Sequence, residues 1–332
     1  ARGYGHIVLK KAYFNHTLVK ELYDYSIPEN SYVQGTIDAN LEGQNLKLVG
    51  EAQSNLFTLQ VKDASADLAS DQLSAAYHLD VKDMRILTRN KLAGPLEAEG
   101  KVLGKDKEIQ VTGTSHSLGG ALHFSVNEKT QITLDKLALD KLLPLFKQPA
   151  YAKGEVSGTM VLNKRNKKEG TYTLHIDKGV LDPKSIEKVS HYVIPEKNAF
   201  SLESKGKILN TKLTANTTIH STLADAEFTD TEYDLKEKIL VSHYALLLHD
   251  VNALVPNAKV TKGAPVSAEG QFRSADTFSI SGQTKGLGDT LAFSYDSKTA
   301  KVDASKLFIE KILAVAGLPV YAKGTLDSQV VF

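Results

Sequence analysis

The stretch Tyr151-Ala152-Lys153-Gly154 returns unchanged as Tyr321-Ala322-Lys323-Gly324, at an offset of 321 − 151 = 170 residues. A second match joins Ile27-Pro28-Glu29 to Ile194-Pro195-Glu196, at an offset of 194 − 27 = 167 residues. Repetition on this scale decides the architecture before any local motif does. Repeated units are typical of elongated arrays and not of compact enzymes with a single cleft.

The repeat sets the predicted domain organisation. For 332 residues the length alone suggests about two domains. We expect instead a continuous array, with a first repeat unit over 1–166 and a second over 167–332, joined by a short basic turn. Each unit is expected to hold three modules of roughly 55 residues, each a helix followed by several strands. Because the chain starts at Ala1 and stops inside an apolar run at Phe332, we expect a fragment of a longer protein.

Apolar residues alternate with polar ones along most of the chain, which is the pattern of a half-buried strand. Clear examples are Ile37, Ala39, Leu41; Leu96, Ala98, Gly100, Val102; Val156, Gly158, Met160; and Val266, Ala268, Gly270, Phe272. A sheet with one apolar and one wet face is typical of antiparallel strands. The sequence therefore predicts a mostly β fold of tandemly repeated antiparallel strands with internal duplication.

Short helices are predicted between groups of strands. The strongest candidate is 134–147, whose copy is 305–316, and each precedes a proline (Pro149 and Pro319), as helix ends commonly do. Weaker candidates are 19–25 with 186–192, and 83–88 with 250–255.

Composition and motifs exclude several function classes. A formal charge of +1 gives no sign of a nucleic-acid partner. Without cysteine there is no disulfide framework, thiol chemistry or Cys-ligated zinc. Gly113-Thr114-Ser115-His116-Ser117 lacks the closing glycine of a nucleophile elbow. The ten histidines are scattered and the two copies do not share them: His116, for example, aligns with Lys285. We therefore expect no enzyme, no catalytic residue, no metal site and no cofactor.

The apolar sheet face is the remaining candidate for function, because an open sheet must bury such a face against something. A second sheet, a dimer partner or a hydrophobic ligand could cover it, and its many small residues suit either a trough or tight packing. The side chains predicted to line one concave apolar face are Ile37, Leu41, Leu96, Val102, Val156, Met160, Val266 and Phe272.

Four segments carry a resemblance to a known family. They are Leu-Ala-Gly-Pro-Leu-Glu-Ala-Glu-Gly-Lys-Val at 92–102, Val-Thr-Gly-Thr-Ser at 111–115, Ser-Leu-Gly-Gly-Ala-Leu-His-Phe at 117–124, and Tyr-Ala-Lys-Gly-Glu-Val-Ser-Gly at 151–158. In these the chain resembles the bacterial AsmA-like and TamB-like envelope proteins. The resemblance implies a repeating β-groove: an elongated, curved, taco-like trough with a hydrophobic interior.

The same resemblance implies a function. Such proteins are bridges in the periplasm that carry phospholipids between the inner and outer membranes, anchored in the inner membrane by an N-terminal helix. For this chain it implies phospholipid acyl chains as cargo, contacts with both membranes through terminal segments, and envelope proteins as possible partners. The alternatives are a structural β-repeat spacer whose sheet closes into sandwiches, and a scaffold for outer-membrane protein assembly.

Overall fold

The computed structural model describes residues 2–23, 26–88, 92–106, 108–163, 169–190, 193–196, 198–250 and 265–332. The chain divides into two compact units. Unit 1 comprises residues 1–150 and 159–165, and unit 2 comprises residues 151–158 and 166–332. The division lies close to the predicted repeat boundary, apart from the segment 151–158.

Strands dominate both units. The strands of the first copy are β1 (Arg2–Tyr13), β2 (Tyr32–Glu42), β3 (Asn45–Ser54), β4 (Phe57–Asp67), β5 (Gln72–Val81), β6 (Leu96–Lys105), β7 (Glu108–Ser115), β8 (Ala121–Val126), β9 (Lys129–Ala138) and β10 (Ala152–Asn163). Those of the second copy are β11 (Glu169–Leu181), β12 (Ala199–Leu209), β13 (Lys212–Ser221), β14 (Ala224–Asp234), β15 (Ile239–Leu248), β16 (Val266–Ser274), β17 (Phe278–Lys285), β18 (Gly288–Tyr295), β19 (Ala300–Phe308) and β20 (Thr325–Val331).

Every strand from β1 to β9 pairs antiparallel with its neighbour in sequence, and the same holds from β11 to β20. The described pairings leave each unit open: β1 pairs with β2, and β20 pairs with β19. The prediction of a mostly β, antiparallel, internally repeated fold is confirmed.

The described residues form five helices, α1 (His16–Tyr23), α2 (Met84–Leu87), α3 (Leu139–Leu145), α4 (Pro183–Ser190) and α5 (Ile309–Val315). Within a unit the helices lie at the same ends of the strands, because an even number of strands separates one described helix from the next. At the opposite ends the strands are joined by tight turns, such as the one between β2 and β3 at Gly43, where a φ of +67° suits glycine.

The two strongest helix predictions were too long at their beginnings. Residues 134–138 belong to β9 and residues 305–308 to β19, so the helices start at Leu139 and Ile309. Pro144 lies inside α3 and does not follow it. The weaker predictions at 19–25, 186–192 and 83–88 fall on α1, α4 and α2, whereas 24–25, 191–192 and 251–255 lie outside the described residues.

Matched β-bulges mark both copies. Non-glycine residues with positive φ interrupt β1, β4 and β9 at Lys11, Asp63 and Lys136, and interrupt β11, β14 and β19 at Lys178, Asp230 and Lys306. The spacings are 178 − 11 = 167, 230 − 63 = 167 and 306 − 136 = 170, which are the offsets of the sequence repeat. A bulge adds a residue to one strand and increases its bend and twist, so the copies share local backbone geometry as well as sequence.

Burial is concentrated at the strand ends that the helices connect. Leu137, at the end of β9, is fully buried, and Leu118 in the neighbouring turn is nearly so. Large apolar side chains on the strands are nevertheless exposed, among them Ile7, Ile37, Val49 and Ile109.

Candidate functional site

The strand register brings apolar side chains into rows across unit 1. One row contains Ile7, Ile37, Gly50, Val61, Tyr77, Gly100, Gly113, Phe124 and Ile132. The next contains Leu9, Gly35, Ala52, Leu59, Leu79 and Ala98. Neither row includes a charged residue, and together they define the apolar face of unit 1.

The other face of unit 1 is polar. Its row between the two apolar ones contains Val8, Thr36, Glu51, Gln60, His78, Glu99, Thr114, His123 and Thr133. Cross-strand ion pairs form here: His78 lies 3.3 Å from Glu97, and His6 Nδ1 lies 2.6 Å from Asp38 Oδ1. Charged groups on this face stay in water, where such pairs contribute little to stability.

A cavity of about 280 Å³ opens on the apolar face between β1 and β4. Its walls and floor include Ile7, Leu9, Gly35, Ile37, Leu48, Gly50, Ala52, Leu59, Val61 and Ala64. Thr36 and Glu51 also border it, but the register places their side chains on the polar face. An apolar cavity of about 150 Å³ is enough to bind benzene, so this cavity, called the unit 1 cavity below, can hold a short length of hydrocarbon.

The cavity exists because glycine and alanine occupy the centre of the sheet. Gly50 lies between Ile37 of β2 and Val61 of β4, and Ala52 lies between Gly35 and Leu59. Ile37 has 44% of its surface exposed. A Cβ atom on Gly50 would meet the backbone oxygen of Thr36 at 3.1 Å, a tight contact, and Ile37 Cγ1 at 3.4 Å. The backbone of β2 therefore limits side-chain size at this position, and the glycine leaves the space above it open.

Farther along the same row an aromatic ring covers the glycines. The hydroxyl of Tyr77 donates to the carbonyl oxygen of Thr112 at 3.0 Å, across Gly100 and Gly113. Partial burial raises the pKa of Tyr77 above its ordinary value, so the phenol stays protonated and acts as a donor. This part of the face is filled by its own side chains.

Unit 2 repeats this row with a chemical difference. Its row contains Leu174, Ser204, Thr217, Phe228, Tyr244, Gly270, Gly282, Phe293 and Val302. The aromatic cover is kept, with the Tyr244 hydroxyl donating to the carbonyl oxygen of Ser281 at 3.3 Å. The cavity residues Ile37 and Gly50, however, are replaced by hydroxyl residues.

These hydroxyls belong to two hydrogen-bonded groups in unit 2, Tyr172 with Ser204 and Thr217, and Thr231 with Ser242, which together we call the hydroxyl cluster. Ser204 Oγ lies 2.9 Å from Thr217 Oγ1 and 3.2 Å from the Tyr172 hydroxyl. Thr231 Oγ1 lies 2.7 Å from Ser242 Oγ, which is almost fully buried. The sequence analysis missed this cluster, although serine and threonine at apolar-face positions of neighbouring strands are a signal that could have found it.

The structure places the eight predicted groove residues as follows. Ile37, Leu41, Leu96 and Val102 point to the apolar face of unit 1. Val266 and Phe272 share one face of β16 in unit 2, and Val156 and Met160 share one side of β10. Only Ile37 among them lines the unit 1 cavity, while Val156 is almost fully buried.

A wider hollow of about 800 Å³ lies on the polar side of unit 2. Its polar groups bind one another: Lys285 and Gln283 both donate to Glu269, and Lys301 lies 2.6 Å from Asp303. Because these polar side chains already bind one another, they do not point together at a place where a ligand would bind, and the hollow is a solvated surface.

Several titratable side chains form hydrogen-bonded pairs. Hydrogen bonds from His249 and His220 hold the pKa of Asp225 below its ordinary value, and His6 and Tyr4 do the same for Asp38. Within the described ranges, no group of three or more His, Asp or Glu side chains is placed to hold a metal ion.

The described part of the chain also contains no helix long and apolar enough to cross a membrane. No family model, no curated protein and no solved structure matches the chain.

Proposed function

We propose that the apolar face of unit 1 binds lipid acyl chains and that the protein is a passive carrier of phospholipids. The observation that supports this is the uncharged row across nine strands with a 280 Å³ cavity in it. A face that served only as a core would be filled by its own side chains, as packed interiors leave few voids larger than a water molecule.

The physical basis is burial of hydrocarbon. Each methylene removed from water contributes about 0.8 kcal/mol, and the apolar lining offers no hydrogen-bond partner that would hold a polar headgroup. An acyl chain would therefore lie along the face while its headgroup stays in water. Neighbouring rows offer similar contacts, so the free energy of a bound acyl chain would change little as it moves along the face. No residue would perform chemistry.

The proposed cellular role follows the resemblance to AsmA-like proteins. The chain would be part of a periplasmic bridge for phospholipids between the inner and outer membranes, anchored in the inner membrane by segments outside this chain. A structural spacer and a scaffold for outer-membrane protein assembly remain the competing functions. Bound lipid is the property that separates the first proposal from both.

The test is the lipid content of the purified protein. Organic extraction followed by mass spectrometry should find acyl lipids, and a fluorescent fatty acid should bind. Replacing Ile37 by Asp places a carboxylate in the unit 1 cavity, where a bound acyl chain would bury it without a partner at a strongly unfavourable cost, and should reduce binding at least tenfold.

The matched control is Val8→Asp. Val8 is 53% exposed and Ile37 is 44% exposed, but the register places Val8 on the polar face. The control variant should keep wild-type binding, and both should keep the far-ultraviolet circular dichroism of the wild type. Absence of lipid from the wild type, or equal loss in both variants, would favour the spacer.

A further inference from the structure

We propose that three hydroxyls on the apolar face of unit 2, those of Tyr172, Ser204 and Thr217, bind the ester carbonyl of an acyl lipid. We call these three residues the hydroxyl trio. The proposal rests on the proposed function, since it takes acyl chains as the cargo. It adds a second binding surface, in unit 2, and it names the chemical class of the ligand there: a neutral acyl ester.

The hydroxyl trio lies among apolar side chains. Ser204 and Thr217 are directly opposed on β12 and β13. The ring of Tyr172 covers Gly206, and its hydroxyl reaches Ser204. The register places beside the trio a purely aliphatic row, which contains Ile176, Leu202, Ile219, Ala226 and Leu246. A ligand on this face therefore meets hydrocarbon and hydroxyl groups side by side.

A count of hydrogens shows that the hydroxyl trio has one O–H to spare. Ser204 Oγ lies 2.9 Å from Thr217 Oγ1 and 3.2 Å from the Tyr172 hydroxyl, and each of these bonds uses one hydrogen. Three hydroxyls supply three hydrogens, so one is left whichever way the two bonds run. Within the described part of the chain the trio makes no other side-chain hydrogen bond. All three side chains are half-buried, so a ligand can reach this O–H.

The other pair of the hydroxyl cluster has no such surplus. Ser242 Oγ donates to the carbonyl oxygen of His243 at 2.9 Å, so it accepts the hydrogen of Thr231 Oγ1 at 2.7 Å. Both hydrogens of this pair are therefore used inside the protein. Of the two groups, the trio is the one that can donate outward.

The surroundings select the kind of acceptor. The rows that contain the trio and the aliphatic row beside them include no Lys or Arg, and an unpaired buried charge is strongly unfavourable. A carboxylate or a phosphate is therefore a poor ligand for this place. An ester carbonyl is a neutral acceptor joined directly to a run of methylenes. Apolar sites with a few placed polar groups fix the orientation of their ligands, so the ester would bind at the trio while its acyl chain lies along the aliphatic row.

Unit 1 has none of these three hydroxyls. Positions 172, 204 and 217 correspond, at the offset of 167, to Gly5, Ile37 and Gly50. The hydroxyls are thus present together in one copy and absent together from the other. The unit 1 cavity has only apolar contacts to offer at these positions, so the preference for an ester is a property of unit 2.

The test is a fluorescence titration with two pyrene-labelled probes of equal length, a fatty acid methyl ester and an alkane. All proteins compared carry Ile37→Asp, which blocks the unit 1 cavity, and the chain without it is titrated in parallel. The triple variant Tyr172→Phe, Ser204→Ala, Thr217→Val should bind the ester roughly fivefold more weakly and the alkane with unchanged affinity. All three changes are needed, because a single one still leaves an O–H to spare.

The matched control is Thr231→Val, which removes a hydroxyl from the same face whose hydrogen is already used within the protein. It should keep full affinity for the ester, and circular dichroism should show that every variant is folded. If the triple variant does not fold, the carbonyl stretch of a ¹³C-labelled ester bound to the Ile37→Asp protein decides. A band below its frequency in hydrocarbon solvent is expected, and an unshifted band would overturn the proposal.

The two probes separate this proposal from the proposed function. If the chain without Ile37→Asp binds the alkane, but the triple variant keeps its affinity for the ester, the ester site is wrong and the proposed function stands. An equal loss of ester affinity in the control variant would also exclude the trio as the ester site. If that chain binds neither probe, the proposed function fails and the ester site fails with it.

Discussion

Strands β1–β5 of unit 1 and β11–β15 of unit 2 share pairing, bulges and register, yet their apolar faces differ in chemistry. Ile37 and Gly50 in unit 1 correspond to Ser204 and Thr217 in unit 2, at 204 − 37 = 167 and 217 − 50 = 167. The first pair borders an open cavity, and the second pair forms a hydrogen bond of 2.9 Å. Duplication has kept the backbone while the surface it presents has changed.

Positions that are the same in both units indicate which residues the fold requires. The tyrosine that covers a glycine on the neighbouring strand is kept, as Tyr77 over Gly100 and Tyr244 beside Gly270. Aromatic side chains over sheet glycines restore packing that the missing side chains would otherwise remove. Positions that differ between the copies are therefore free to serve a ligand in one unit and internal hydrogen bonding in the other.

The largest expected effect tests whether the two cores are equivalent. Leu137 is fully buried in unit 1, and its counterpart Leu307 is 4% exposed in unit 2. Leu137→Ala and Leu307→Ala should each lower the free energy of unfolding by about 2–5 kcal/mol, because both leave a cavity. Urea unfolding followed by circular dichroism measures this. A negligible change in one variant alone would show that the copies do not share a core.

A buried polar position gives the next effect. Asn198 is nearly fully buried: its Oδ1 accepts from the Leu181 N–H at 2.7 Å and its Nδ2 donates to Pro195 O at 2.8 Å. At the corresponding position, 198 − 167 = 31, the buried Ser31 hydroxyl has no hydrogen-bond partner within the part of the chain that the structure describes. Asn198→Ala should therefore destabilise by about 1–3 kcal/mol, whereas Ser31→Ala should be neutral or slightly stabilising.

Thermal unfolding of the two variants decides this point. Equal losses of stability would mean that the Ser31 hydroxyl has a partner in solution, such as a bound water, and that positions 31 and 198 are chemically alike. A loss of stability confined to Asn198→Ala would establish that only unit 2 uses a buried side chain to connect the end of β11 to the segment before β12.

The sequence predicts the strands well because period-two alternation reflects one wet and one apolar face. It misplaces the beginning of α3 because of the bulge at Lys136. The inserted residue brings Leu134 and Leu137 to the same face at a spacing of three, which imitates helical periodicity. The bulge at Lys306 produces the same error before α5.

The candidate site is less accessible to such reasoning. Alternation places Ile37 on the correct face, but the cavity beside it depends on Gly50 and Ala52 of the next strand. The hydroxyl cluster likewise joins residues from β11 to β15, and a pattern within one strand does not record which residue lies opposite. A single sequence does not show the register between neighbouring strands, and the candidate site depends on that register.

Introducing the unit 2 residues at two positions of the unit 1 cavity should change lipid binding more than it changes stability. Ile37→Ser with Gly50→Thr introduces the Ser204–Thr217 pair into unit 1. It removes contact with roughly two methylene groups, about 0.8 kcal/mol each, so fatty-acid affinity should fall roughly tenfold. The new hydroxyl pair contributes about 1 kcal/mol to folding, which partly offsets the lost isoleucine. Fluorescence titration and thermal unfolding measure the two quantities. Unchanged affinity would place the binding surface elsewhere.

The smallest effect concerns pH and again separates the copies. Asp38 accepts hydrogen bonds from His6 and Tyr4, which lower its pKa, whereas position 38 + 167 = 205 is Lys205. Because the pKa is lower in the folded state, this contribution is fully present above the ordinary value of 3.8 and is lost as pH falls through the folded-state pKa. Asp38→Asn should therefore lower the Tm slightly at about pH 6, and the two curves should converge as the pH falls through the folded-state pKa of Asp38. Since the pair lies on the exposed polar face, added salt should shrink the difference at the higher pH. A Tm difference that persists unchanged at the lowest pH would instead attribute the effect of the substitution to packing in β2 and not to the charge of Asp38.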